Sequence, residues 1–317
     1  MILHKDPKLM SQLIRFTSDK YNINPRFIEK DYWITYVLSN LSKSEYMENA
    51  VFKGGTSLSK GYELISRFSE DVDIALFNQE AQSGNKVKSI IRNIEKEITS
   101  ELQEIELEGI TSKGSRFRKS VYAYNSFLGK TIASQNNVIV EINSFANPYP
   151  NEKLKIESYI AKFLKETNNE DSIEEFRLQE FSINVLDKRQ TLIEKIVSLI
   201  RFSHLGTASL ALKIRHFYDL HFLFNDEVCN NYIHSSNFKP DFYKVLEHDK
   251  LMFETPTGWQ ESDINQLPLF TNTNDIWKEL EPTYTSELSD LAFTEIPDPG
   301  EILDSFNKLV RLIIKQQ

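Results

Sequence analysis

The segment that most constrains the fold is Asp71-Val72-Asp73-Ile74-Ala75-Leu76, which begins with alternating acidic and apolar side chains. This alternation predicts a β-strand with Asp71 and Asp73 on one face and the apolar side chains directed to the core. Two carboxylates this close repel each other unless a cation lies between them. Mg²⁺ removes such repulsion when it is bound by one or two carboxylates together with substrate phosphates. The segment therefore predicts a sheet that holds a divalent metal on one face.

A glycine pair precedes this strand at the end of a short apolar run. The residues Lys53-Gly54-Gly55-Thr56-Ser57 predict a strand that enters a glycine turn and continues as a helix. Backbone without Cβ atoms can approach a phosphate closely, and a helix N-terminus offers unpaired N–H groups. The glycine pair and the Asp-x-Asp motif are each common in proteins, but their order and spacing in this chain favour one combined site. We therefore predict that residues 53–57 bind the phosphates of a nucleotide.

A third acid lies in a later strand. Glu141 follows the apolar run Val138-Ile139-Val140, where burial of a carboxylate without a partner would be costly. If this strand neighbours Asp73, the carboxylates of Asp71, Asp73 and Glu141 converge on one metal site. The alternative is that Glu141 lies at a sheet edge or on a face open to water.

The remaining periodicity predicts a mixed α and β chain. The run Asn147-Pro148-Tyr149-Pro150 interrupts the pattern and marks a domain boundary. We expect an N-terminal helical segment at 1–50, a sheet-containing core at 51–150 and a mostly helical C-terminal region at 151–317. The predicted helices lie at 26–41, 86–106, 191–202, 211–224 and 302–314.

Composition narrows the classes of protein to which the chain can belong. The 317 residues carry a net charge of −9 and one cysteine, Cys229, which excludes a fold built on intrachain disulfides. The first residues lack the basic-then-apolar pattern of an export signal, and no run approaches the roughly 18 apolar residues of a membrane span. We expect a cytoplasmic protein without a membrane partner.

The charge is distributed unevenly along the chain. Residues 226–304 contain 17 acids and four bases, whereas residues 109–140 contain five bases and no acid. Aromatic side chains accompany the basic run, which suits contacts with an RNA backbone or a triphosphate. A solvated hairpin is the alternative. The five bases are Lys113, Arg116, Arg118, Lys119 and Lys130.

The order of a Gly-Gly turn, a helix, Asp-x-Asp and a later acidic strand resembles the nucleotidyltransferase fold of the polymerase β type. Three segments resemble more closely the AbiEii/AbiGii toxin family of type IV toxin–antitoxin and abortive-infection systems. They are Glu29-Lys30-Asp31-Tyr32-Trp33, Phe52-Lys53-Gly54-Gly55-Thr56-Ser57-Leu58 and Arg67-Phe68-Ser69-Glu70-Asp71-Val72-Asp73. Two later segments, Leu192-Ile193-Glu194-Lys195-Ile196 and Lys213-Ile214-Arg215-His216-Phe217-Tyr218-Asp219-Leu220, match that family's lysine and aspartate motifs.

This resemblance implies an α+β fold, with a nucleotidyltransferase-type mixed sheet, flanking helices and a mostly helical C-terminal domain. It implies that Asp71 and Asp73 hold Mg²⁺ or Mn²⁺ on an NTP and that Lys195 binds the phosphates. Asp219 would be a catalytic or orienting acid. The alternatives are a surface lysine at 195 and a helical ion pair of Asp219 with Arg215.

Three further positions receive roles from the same resemblance. Arg67 and Ser69 would orient the loop or contact the nucleotide. Either Glu141 or Asp219 would activate the attacking hydroxyl. The acids and base at 29–31 are expected to brace the core rather than to take part in chemistry.

The resemblance implies that a toxin with an antitoxin encoded nearby transfers a nucleoside monophosphate from an NTP to an acceptor. The acceptor that the resemblance suggests is the 3′ end of a tRNA. Two other functions stay open at this point. One is the same chemistry on a protein or a small molecule. The other is a non-enzymatic module that binds nucleotide and a partner protein.

Overall fold

The computed structural model describes residues 1–77, 83–129 and 136–314. The chain divides into two compact units. Unit 1 comprises Met1–Glu63 and Phe68–Leu186, and unit 2 comprises Leu64–Arg67 and Asp187–Gln317. None of the helices in the described part of the chain combines the length and the apolar composition that a membrane span requires.

Unit 1 is built on a mixed sheet of eight strands in the order β3-β5-β6-β2-β1-β8-β7, with β4 paired to β5. The central pair β1 and β2 is antiparallel, whereas β2 runs parallel to β6 and β1 runs parallel to β8. The strands are β1 (Ala50–Lys53), β2 (Asp71–Leu76), β3 (Gln103–Ile105), β4 (Ser112–Lys113), β5 (Phe117–Ala123), β6 (Asn137–Asn143), β7 (Asn151–Ile156) and β8 (Phe181–Leu186).

The described residues of unit 1 form six α-helices. They are α1 (Pro7–Tyr21), α2 (Pro25–Lys43), α3 (Gly54–Lys60), α4 (Gly84–Ile98), α5 (Tyr159–Glu166) and α6 (Glu170–Glu175). The helix predicted after the glycine pair is short and ends at Lys60. The helix predicted for 86–106 ends at Ile98, and the chain then forms β3.

Helix α2 is largely buried, and its charged residues at 29–31 pair with other parts of unit 1. Asp31 accepts a hydrogen bond from the Tyr159 N–H at 2.9 Å and forms a buried ion pair with Lys60. Glu29 accepts hydrogen bonds from the loop after β5, and the Lys30 ammonium lies 3.2 Å from a carboxylate oxygen of Glu70. Each buried charge therefore has a partner, which offsets the cost of removing it from water.

Unit 2 is helical in its described residues. Phe217 packs against Trp277 and against Phe306 in its core, and Trp259 is also buried. The acidic stretch at 226–304 is thus largely folded as helices. The helices are α7 (Lys188–Ser203), α8 (Thr207–Ala211), α9 (Ile214–Asn225), α10 (Glu227–Ile233), α11 (Phe238–Met252), α12 (Pro268–Thr271), α13 (Thr273–Leu291) and α14 (Pro299–Ile313).

The last two strands belong to unit 1. Residues 151–186, which the sequence pattern assigned to the C-terminal region, contain β7 and β8 and are part of unit 1. Their place follows from pairing, since β8 lies beside β1 in the sheet. Such pairing between distant segments leaves no local signal in the sequence.

Candidate active site

The glycine turn lies directly against the second aspartate. Strand β1 pairs with β2 so that Lys53 is opposite Asp73, and Gly54 is the next residue after Lys53. Gly54 has a φ of +82°, and a Cβ atom placed on it would lie 2.2 Å from the Asp73 Oδ2. Gly55 follows, half-buried, in the first turn of α3. The two motifs that the sequence pattern combined are therefore adjacent.

The strand register places four charged residues in one row across the sheet. Asp73 is paired with Lys53 on one side and with Glu141 on the other, and Glu141 is paired in turn with Lys119. Paired residues of adjacent strands direct their side chains to the same face. Asp71 shares this face because it is two residues before Asp73. Three carboxylates thus lie on one face between two lysines, and the Lys119 Nζ is 3.5 Å from the Glu141 Oε2.

With Asp71 included, three carboxylates on this face outnumber its two lysines, and this excess of acid affects their ionisation. Burial, followed by the charges of Glu141 and Asp71, raises the pKa of Asp73 well above its ordinary value of 3.8, although Lys53 and Lys119 oppose the shift. Burial alone would lower the pKa of Lys119, but the three carboxylates outweigh it and raise that pKa. The row is therefore a place where an additional cation is favourable.

The donor chemistry of the row fits a hard divalent cation. Asp71, Asp73 and Glu141 supply carboxylate oxygens, the ligands that Mg²⁺ and Mn²⁺ prefer. Within residues 1–77, 83–129 and 136–314, no group of three or more His, Cys, Asp or Glu side chains is placed so that it could hold a metal ion by itself. Mg²⁺ usually takes only one or two protein carboxylates and completes its coordination with water and phosphates. The two aspartates of β2 satisfy that requirement.

Hydroxyl groups fix the turn and the start of β2. The Thr56 hydroxyl donates a hydrogen bond to the main-chain oxygen of Asp71 and lies 2.9 Å from the Ser69 Oγ. The Ser57 hydroxyl donates to the main-chain oxygen of Gly54 at 2.8 Å. Thr56 and Ser57 are both buried. The side chains of Thr56 and Ser57 therefore hold the glycine turn in place. If these two residues bind the nucleotide as predicted, they would do so through their main-chain N–H groups.

A second cluster of predicted site residues lies in unit 2. The Arg67 guanidinium forms two hydrogen bonds with the Asp219 carboxylate, at 2.8 and 2.6 Å. The Lys195 ammonium lies 2.7 Å from the same carboxylate and 3.5 Å from the Nδ1 of His216. Arg67, Lys195 and Asp219 are all buried. Three residues singled out from distant segments are thus in direct contact.

The two alternatives considered for this region do not occur in the structure. Lys195 is not a surface lysine, since only 6% of it is exposed. Arg215 pairs with Glu287 at 2.7 Å instead of with Asp219.

The ion pairs in this cluster control the protonation of its members. Burial would raise the pKa of Asp219, but the charges of Arg67 and Lys195 hold it well below its ordinary value. Burial and the neighbouring charge of Lys195 lower the pKa of His216 well below 6.5, so its imidazole is neutral at pH 7. Asp219 is therefore a permanent anion that fixes two cations, and it is a weak base.

The basic run at 113–119 is largely neutralised by acids of the same unit. This pairing weakens the case for a strongly cationic RNA-binding surface there. Lys130, the fifth base of the run, lies outside the described residues. The pairs are Lys113 with Glu104 and Glu106, Arg118 with Glu95 and Glu104, and Lys119 with Glu141.

Sequence reasoning did not assign two residues of these clusters. The sequence pattern places Lys119 only in the basic run, although its position opposite Glu141 makes it one of the two lysines of the row. His216 has no predicted role, yet its Nδ1 lies 3.5 Å from the Lys195 ammonium. The apolar alternation of β5 and β6 gives their faces but not their register, so no local signal identified Lys119.

The chain resembles a known protein family in sequence and a known protein in structure. The family model of the nucleotidyl transferase AbiEii toxin of type IV toxin–antitoxin systems matches residues 36–311. No curated protein matches the chain by sequence. The structure is similar to that of MenT4, a nucleotidyltransferase toxin from Mycobacterium tuberculosis H37Rv, with a TM-score of 0.53 and 13% identity, over 94% of this chain and 88% of that chain.

This similarity confirms the predicted α+β nucleotidyltransferase fold. The family match covers most of the chain and confirms the resemblance seen in its motifs. The chain therefore belongs to the AbiEii family and is a nucleotidyltransferase toxin of the type IV toxin–antitoxin class.

Proposed function

We propose that this toxin uses Mg²⁺ or Mn²⁺ to transfer a nucleoside monophosphate from an NTP to the 3′ end of a tRNA. The observation that carries the proposal is the contact of Gly54 with Asp73 in the row that also contains Glu141. A close backbone approach beside two acids suits a triphosphate with its metal. Family membership supplies the NTP substrate and implies a cognate antitoxin.

We assign the metal to Asp71 and Asp73, with Glu141 as a third acid beside them. A divalent ion bound there would neutralise phosphate charge and favour in-line displacement at the α-phosphorus. Residues of the turn, Lys53 to Ser57, would bind phosphate oxygens through main-chain N–H groups and the Lys53 ammonium.

Between the two acids considered for activating the hydroxyl, we assign Glu141. Asp219 is held as an anion by Arg67 and Lys195, so its affinity for a proton is low. Glu141 has one lysine partner at 3.5 Å and is partly exposed to solvent. Asp219 is instead proposed to position Lys195 and Arg67, the residues assigned to bind nucleotide phosphates, and Ser69 to hold the loop through Thr56.

The proposed acceptor is the 3′ end of a tRNA. The family's toxin activity and a fold with a nucleotide-transfer site favour an acceptor needed for growth, and a tRNA 3′ end offers a free hydroxyl. Such transfer would arrest growth in the cytoplasm and serve abortive infection against phage.

A labelling experiment tests this function. Purified protein is incubated with each α-labelled NTP, Mg²⁺ or Mn²⁺ and total RNA, beside the variants Asp71→Ala and Asp73→Ala. Label on tRNA-sized RNA only with the intact aspartates is the expected result. Label on protein or on a small molecule would identify another acceptor, and no label in any fraction would favour a non-enzymatic nucleotide-binding module.

A further inference from the structure

A cavity of about 270 Å³ lies beside α2 in unit 1, and residues 176–179 and 181 form part of its lining. It shares no residue with the candidate active site. Its lining combines aromatic rings, hydroxyl and amide groups and two cations, and none of the described residues that line it is acidic. The lining includes Tyr36, Asn40, Lys43, Phe176, Arg177 and Gln179.

The two cations are not compensated by acids. Lys43 donates a hydrogen bond to the neutral Ser39 hydroxyl at 2.8 Å. In the part of the chain that the structure describes, neither Lys43 nor Arg177 forms an ion pair with a carboxylate. Burial and the charge of Arg177 lower the pKa of Lys43. In a chain with a net charge of −9, two mutually repelling cations in one cavity are a place where an anion would be stabilised.

Unused polar groups accompany these cations. Among the described residues, none forms a hydrogen bond with the Tyr36 hydroxyl, the Asn40 Oδ1 or the Gln179 side-chain amide. Asn40 uses its Nδ2 for the main-chain oxygen of Ile98 at 3.0 Å. The cavity thus offers donors and acceptors of the kind that recognise the edges of a heterocycle.

We propose that this cavity binds a nucleoside monophosphate group, with the phosphate held by Lys43 and Arg177 and the base against the aromatic wall that includes Phe176. Two cations match a phosphate dianion better than a carboxylate. Aromatic side chains accept the face of any base, and the unused polar groups face its edges. The volume lies just below the roughly 300–1,000 Å³ of typical ligand pockets, which suits one nucleotide.

Two kinds of ligand carry a nucleoside monophosphate group: a free nucleotide and an RNA that ends in one. Isothermal titration calorimetry of the full chain with AMP, GMP, CMP and UMP tests the site. Parallel titrations use the four nucleosides, inorganic phosphate, benzoate, and a short single-stranded RNA that ends in a phosphate. We expect at least one monophosphate to bind more tightly than its nucleoside, inorganic phosphate or benzoate.

The variant Lys43→Ala/Arg177→Ala should weaken that binding by about tenfold or more, because it removes both phosphate partners. Both residues are exposed, so the fold should persist, which circular dichroism checks. Arg92→Ala/Lys96→Ala is the matched control, since it removes two exposed cations of α4 that do not line the cavity. Binding should be unchanged in the control.

The same titration in the Asp71→Asn/Asp73→Asn background separates this site from the active site, because only cavity binding should persist there. Competition by the phosphate-ended RNA would identify a terminal nucleotide as the source, and its absence would identify the free nucleotide. Absence of monophosphate binding, equal binding by benzoate, or equal binding by the cavity variant and the wild type would overturn the proposal.

Discussion

Gly54 and Asp73 lie so close together that no side chain fits between them. The main chain at Gly54 has a φ of +82°, and a Cβ there would lie 2.2 Å from the Asp73 Oδ2, inside van der Waals contact. The antiparallel register of β1 and β2 creates this contact. The glycine turn therefore limits where the second aspartate can direct its carboxylate.

Substitution at this glycine should affect catalysis more than folding. Gly54→Ala introduces a methyl group that must displace the Asp73 carboxylate, so we expect nucleotide transfer to fall by about 100-fold or more, as misplacement of a catalytic group by about 1 Å does. The measurement is the initial rate of label incorporation into RNA.

Gly109→Ala is the matched control for this variant. Gly109 has a similar φ, +77°, but a Cβ there would meet nothing within 4 Å. Its cost is therefore only the backbone strain of about 1–2 kcal/mol, without a change in transfer rate. Equal activity loss in both variants would show that backbone strain, and not the contact with Asp73, matters at position 54.

The raised pKa of Asp73 makes stability depend on pH in a defined direction. Between 3.8 and its higher value in the folded state, the folded protein binds more protons than the unfolded chain, so this group lowers stability as pH rises through that window. Asp73→Asn removes the effect. In buffer with a metal chelator, the variant should be more stable than the wild type at pH 7 by about 1–2 kcal/mol, and the difference should shrink as pH falls.

Urea unfolding at several pH values measures this difference. Asp19→Asn, which removes an exposed carboxylate of α1, should leave the profile of the wild type unchanged. A variant Asp73→Asn that is less stable than the wild type at pH 7 would contradict the charge repulsion inferred for the row.

Divalent metal should stabilise the wild-type chain through the same carboxylates. Mg²⁺ or Mn²⁺ added at about 100 times its Kd should raise the free energy of unfolding by about 2.7 kcal/mol, and a chelator should reverse the change. Differential scanning calorimetry measures the shift in Tm. Asp71→Asn/Asp73→Asn should show little shift, and an equal shift in this variant would place the metal elsewhere.

Loss of Asp219 should destabilise unit 2. Asp219→Ala leaves Arg67 and Lys195 buried without their common partner, which costs about 3–5 kcal/mol. Because ion pairing depresses the pKa of Asp219, its stabilising contribution is complete above 3.8 and is lost as pH falls below that value. Urea unfolding at pH 7 and pH 3 measures both effects.

The exposed pair of Asp275 and Lys278 on α13 provides the control for this prediction. Asp275→Ala should change the urea midpoint little, because a solvated ion pair contributes little stability. A similarly small change in Asp219→Ala would mean that the buried cations find water or other partners.

The local pattern of the sequence was sufficient for the elements that carry the site. Alternation at 71–76 predicted β2 and the common face of its aspartates, and Pro25 with the following apolar positions predicted α2. These predictions succeeded because side-chain periodicity depends only on the geometry of a single strand or helix. The motifs were also sufficient to identify the family, since they combine glycines and acids whose spacing the chemistry restricts.

Which charged side chains come into contact depends on the tertiary structure. The sequence did not reveal that Lys119 lies opposite Glu141, that Arg67 rather than Arg215 binds Asp219, or that β8 pairs with β1. These contacts join segments far apart in the chain, and strand register and helix packing depend on the burial of many side chains at once. The residues able to bind or to catalyse could therefore be identified from the sequence, whereas their protonation states and contact partners depend on the tertiary fold.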